Sequence, residues 1–115
     1  MEGLKTITTL DEYQENAIGT RMYPQEMANA YCALGLTGEA GEVAEKVKKI
    51  IRDKNGVMSQ EDKENLKLEL GDVLWYVTDF ADQLGFSLQE VAQANYEKLA
   101  SRTKRNKLGG SGDNR

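Results

Sequence analysis

Apolar residues recur at three- and four-residue intervals along most of the chain, and no stretch alternates with the two-residue period of a half-buried strand. Four helices follow from the pattern. The first opens at Thr9, whose hydroxyl caps while Glu12 completes a capping box, and runs to about Met22, where Tyr23-Pro24 stops it. The second runs from about Gln25 to Asp53 with Met27, Tyr31, Leu34, Val43, Val47 and Ile50 at helical spacing, weakened by Gly35, Gly38 and Gly41. Lys54-Asn55-Gly56 is a turn. Ser59 with Asp62 caps a third helix that continues to about Leu84, and Gly85 suits the left-handed position after it. Ser87 with Glu90 opens a fourth helix through Val91, Ala94 and Leu99 to about Lys104. The expected architecture is all-α: a four-helix bundle-like single domain over residues 1–104, followed by a flexible Gly-rich basic tail over 105–115.

Two carboxylate pairs stand out against this frame. Glu39 and Glu42 lie on the second helix and Glu69 and Asp72 on the third, each pair spaced i, i+3, and the pairs mirror one another about the Asn55-Gly56 turn. An antiparallel hairpin closing there sets Glu39 opposite Asp72 and Glu42 opposite Glu69. At about 100° per residue, Glu39 shares its face with Val43, Lys46 and Ile50, while Glu69 falls beside Val73, Val77 and Phe80. The acids therefore border core positions. A solvated acidic face explains most such pairs, and Glu45, Glu61, Glu64 and Glu90 fit it. Acids next to a core would each cost several kcal/mol, on the order of a buried unpaired charge, unless cations neutralise them.

Composition narrows the chemistry. The 115 residues include no histidine and one cysteine, Cys32, which excludes Ser-His and Cys-His nucleophile systems, most zinc sites, the Glu-x-x-His pairs of di-iron bundles and any intrachain disulfide. What remains is carboxylate chemistry with hard cations, Mg2+ or in its place Mn2+. With 15 basic and 19 acidic residues the formal charge is −4, which offers no general attraction to nucleic acid or to an anionic membrane. No secretory h-region or membrane span is read, so the expected location is cytoplasmic. A chain this short buries a modest core, and an oligomer is expected.

On the fourth helix Asn95, Lys98 and Arg102 share one face, which suits either phosphate oxygens or simple solvation near a helix C-terminus. Lys46 can neutralise one acid. Trp75 lies on a second apolar edge of the third helix, for burial between helices or subunits or for stacking on a base.

The strings Gly-Leu-Thr-Gly-Glu-Ala-Gly-Glu-Val at 35–43 and Leu-Glu-Leu-Gly-Asp-Val-Leu-Trp-Tyr at 68–76, which carry Glu39-x-x-Glu42 and Glu69-x-x-Asp72, resemble the signature of the MazG-like all-α nucleoside triphosphate pyrophosphohydrolases. The resemblance extends from about Glu26 to Arg102. It implies an Mg2+-dependent enzyme that cleaves a nucleoside or deoxynucleoside triphosphate to the monophosphate and pyrophosphate as a homodimer or homotetramer. It also implies that Glu39, Glu42, Glu69 and Asp72 are metal ligands and catalytic groups. Asn95, Lys98 and Arg102, with Lys46 and Trp75, become candidates for substrate contacts. The competing expectation is a non-enzymatic helical interaction module with a solvated acidic face.

Overall fold

The computed structural model describes residues 4–104. They form helix α1 (Leu10–Ile18), a 3-10 turn (Gln25–Met27), α2 (Ala28–Lys54), α3 (Gln60–Gln83) and α4 (Leu88–Lys104), with no strand among the described residues. The tail expected over 105–115 lies outside the described residues.

The local signals act as their chemistry requires. Ser59 accepts from the Asp62 amide at 3.1 Å and the Asp62 carboxylate accepts from the Ser59 amide at 2.9 Å, a complete capping box at the start of α3. Lys54 adds an ion pair to Asp62 at 2.8 Å, which holds that carboxyl down to about 2, well below its usual range, with the Ser59 amide assisting. α2 ends in two left-handed residues, Asn55 (φ 53°) and Gly56 (φ 78°), so the chain reverses tightly into α3. Gly85 (φ 89°) does the same after α3, and the Phe86 amide returns to the Ala81 carbonyl at 2.8 Å.

α1 departs from expectation at both ends. Thr9 accepts from the Glu12 amide at 3.0 Å as expected, but the Glu12 carboxylate takes the hydroxyl of Thr8 at 2.6 Å instead of closing a backbone box. The helix stops at Ile18 rather than near Met22. Thr20 folds its hydroxyl onto the Ala17 carbonyl at 2.8 Å, and Arg21 leaves the helix to reach α3. A long-range ion pair overrides the local pattern there.

α2 and α3 form an antiparallel hairpin that is the main packing unit. α1 lies on α3, and α4 lies on α1 and α3 without touching α2. Gln14 of α1 fixes the α3–α4 connection, donating to the Phe86 carbonyl at 3.2 Å and accepting from the Leu88 amide at 2.6 Å. Among the described residues the buried apolar set is small: Ala17, Ala28, Cys32, Ile50, Ala81 and Leu88. Leu34, Ile51, Val57 and Leu68 are each more than 60% exposed. The radius of gyration, 17.1 Å, exceeds the roughly 13 Å of a compact domain of this length. One chain thus leaves much of its apolar surface uncovered. No helix among the described residues is long and apolar enough to cross a membrane.

Candidate metal centre

The hairpin brings Glu39 of α2 together with Glu69 and Asp72 of α3, and one carboxylate oxygen from each lies within 4.8 Å of the other two. Glu39 and Glu69 are half-buried and Asp72 is exposed. Burial first, then the charges of Asp72, Glu69 and Glu42, hold the Glu39 carboxyl above its ordinary value. Like charges converge here without an equal number of cations. Two ligand oxygens on one octahedral Mg2+ stand roughly 3 to 4 Å apart, so the trio needs only small side-chain rotations to hold one. An all-oxygen, all-carboxylate donor set is the kind that selects hard divalent ions.

Glu42 does not join this trio. It is exposed, and it acts on Glu39 through its charge. The mirror pairing about the turn set Glu42 opposite Glu69, but the Glu42 carboxylate is not among the three that converge. The stripe is continued instead by Lys46, seven residues beyond Glu39, whose ammonium stands 3.7 Å from Glu69. Lys46 therefore contacts the site from within the same chain.

The other candidates stand elsewhere. Trp75 is half-buried and donates its indole N–H to the Ala17 carbonyl at 3.2 Å and to the Thr20 hydroxyl at 2.9 Å, pinning the end of α1. Its ring meets Tyr76 edge-on, with centroids 4.9 Å apart. Asn95 and Lys98 are exposed on α4, which does not reach α2. Arg102 is buried, and its Nε has no hydrogen-bond partner among the described residues.

One feature that escaped the sequence reading is a buried hub on Asp79, which is wholly enclosed. Its carboxylate accepts from Arg21 Nε at 2.8 Å and Nη2 at 2.5 Å, from the Tyr23 hydroxyl and from the Cys32 thiol at 3.4 Å. Arg21 also pairs with Asp82 at 2.7 Å. Burial and the Asp79 bond push the Tyr23 hydroxyl above its ordinary value. The available signal was an acid set between Val77 and Ala81 on the packed side of α3. The three glycines of α2, which the sequence suggests for close approach of a neighbouring helix or a ligand, differ: at Gly35 a Cβ would overlap the ring of Tyr76, whereas a Cβ at Gly38 or Gly41 would meet nothing within 4 Å. Of the three glycines, one serves close approach within the chain.

The family model for the MazG nucleotide pyrophosphohydrolase domain matches residues 28–106, well over half of the 115 residues and the whole of α2, α3 and α4. The chain belongs to this MazG family. Its relative, the "Gene 37 protein" of Mycobacterium phage L5, is 49% identical over 112 residues, covering 92% of this chain and 98% of that protein. No solved structure matches the chain significantly. Within the MazG domain the matched span contains both acid pairs, so the trio at Glu39, Glu69 and Asp72 lies inside the family's own region.

Proposed function

We propose that this MazG-family chain hydrolyses a nucleoside or deoxynucleoside triphosphate to the monophosphate and pyrophosphate with Mg2+, or Mn2+ in its place, and so clears or adjusts nucleotide pools. The observation that carries the reading is the convergence of Glu39, Glu69 and Asp72 with Glu39 raised by its neighbours. A divalent ion bound there would neutralise the trio, draw in polyphosphate oxygens and lower the pKa of a bound water. Glu39, Glu69 and Asp72 hold that charge in place between two helices. Glu42, outside the trio but near enough to act on Glu39, is the carboxylate left to accept the water's proton. Lys46 offsets part of the charge on Glu69.

The exposed apolar side chains support a homodimer or homotetramer. Leu34, Leu68 and Tyr96 are each exposed by about two-thirds or more, an arrangement that a second copy would relieve. Asn95, Lys98 and Arg102 stand on α4, which packs on α3 but not on α2, and are candidates for contacts to substrate held at this copy's acids or at another copy's. The test is pyrophosphate release across all ribo- and deoxyribonucleoside triphosphates in Mg2+, with light scattering for the oligomer. Turnover lost in EDTA and in Glu39→Ala supports the reading. A folded protein inert toward the whole panel, with a Tm unmoved by Mg2+, overturns it in favour of an interaction module.

A further inference from the structure

From the acids a row of aromatic rings continues along the hairpin. On α2, Tyr31, Gly35 and Glu39 recur at i, i+4 and i+8, and on α3 Tyr76 follows Asp72 by four residues. These positions follow an i, i+4 ridge on each helix. Because position 35 has no Cβ, the Tyr76 ring lies against the α2 backbone one turn from Glu39. Tyr31 comes next, its centroid 6.3 Å from that of Tyr76. Its other neighbour is Tyr23, stacked at 4.5 Å with the planes only 22° apart.

Tyr23 is not free to move. Its hydroxyl is bound to the enclosed Asp79 carboxylate, and the Gln83 amide donates to it at 2.8 Å. Tyr31 is thus backed on one side by a clamped ring while 42% of its own surface stays exposed. Two helical turns, about 12 Å, separate its level from that of Glu39. A nucleotide with its phosphates at the acids and its length along the hairpin would bring its base to the level of this ring.

Several polar groups around the row are already engaged with one another. Asp79 accepts from Arg21, Tyr23 and Cys32, the Gln83 carbonyl accepts from Gln25 at 2.7 Å, and the Trp75 N–H is given to α1. They are committed to holding the fold rather than to reading a base edge. Stacking on an aromatic face tolerates any base, since every base has a π-face.

We propose that Tyr31, backed by Tyr23, is the nucleobase platform of the site and holds the base by stacking, so that the base adds affinity with little discrimination among the common bases. This rests on the triphosphate reading above. The experiment compares the wild type with Tyr31→Ala and Tyr31→Phe in two ways. Steady-state kinetics are measured for a purine and a pyrimidine triphosphate, and calorimetric binding in Mg2+ for their α,β-imido analogues and for inorganic triphosphate. Tyr31→Ala should raise KM and weaken analogue binding about tenfold or more for both bases, with kcat and inorganic triphosphate affinity little changed. Tyr31→Phe, which keeps the ring face, should recover most of the loss.

Unchanged nucleotide affinity in Tyr31→Ala, with the fold intact by circular dichroism, overturns the proposal. So does a loss confined to one base, or an equal loss for inorganic triphosphate. A wild type that binds the analogues through Tyr31 yet releases no pyrophosphate would end the hydrolase reading and leave the platform standing.

Discussion

Asp72 and Asp79 stand seven residues apart on the same helix, about two turns, yet they sit in opposite electrostatic settings. Asp79 is wholly buried and receives Arg21, Tyr23 and Cys32, so its charge is compensated by the fold itself. Asp72 is exposed and faces Glu39 and Glu69, and among the described residues Lys46 is the cation paired with the group, at 3.7 Å from Glu69. A buried carboxylate with several donors is a structural element. A cluster of carboxylates short of cations is a place prepared for charge that comes from outside. The contrast separates the two roles without reference to any ligand.

Removing each acid should therefore move stability in opposite directions. Asp79→Ala leaves Arg21 and the Tyr23 hydroxyl without their acceptor and should cost about 3 to 5 kcal/mol in urea unfolding. A loss below about 1 kcal/mol would show that the hub is not structural. Asp72→Ala should cut pyrophosphate release at least about 100-fold, beyond the loss usual for groups that only orient metal ligands. In EDTA its Tm should stay level or rise. A fall in Tm comparable to that of Asp79→Ala would erase the distinction between the two sites.

The trio should also respond to pH. Glu39 is raised by burial and by Asp72, Glu69 and Glu42, so its folded value lies above its unfolded one. Its contribution is then greatest below the unfolded value near 4.5 and is lost as pH rises through the folded value. Without divalent ions, Glu39→Gln should gain stability relative to the wild type as pH goes from about 4.5 to 7. Mg2+ should raise the wild-type Tm more at pH 7 than at pH 4.5. Equal Mg2+ effects at both values would argue against ion binding at these carboxylates.

The smallest effects concern the glycines between the two sites. Gly35→Ala collides with Tyr76 and should cost about 1 to 3 kcal/mol by overpacking. Gly38→Ala, near the acids and facing open space, should gain about 1 kcal/mol of helix propensity in thermal melts. If both substitutions destabilise equally, the close approach at Gly35 is not special.

The helices, their caps and the turn at Asn55-Gly56 were legible because each depends on contacts within a few residues. The meeting of Glu39 with Glu69 and Asp72 was legible as well, since a tight turn between two long helices leaves little choice of register. Glu42 was expected beside the other three acids; its carboxylate lies outside the converging trio, near enough to act on Glu39 through its charge. The early end of α1 was hidden because Arg21 answers to Asp79 and Asp82, 58 and 61 residues away.

By itself, then, the sequence determined the all-α class, the hairpin with its acid pairs, the exclusion of histidine and disulfide chemistry and the MazG likeness. All of these follow from local spacing and residue type. Tertiary structure alone decided which three acids converge, that Asp79 is satisfied while Asp72 is not, that Trp75 is spent on α1, and that Tyr31 is backed by a clamped ring. Those outcomes depend on helical phase and on pairings between distant segments, where burial rather than propensity selects the partner.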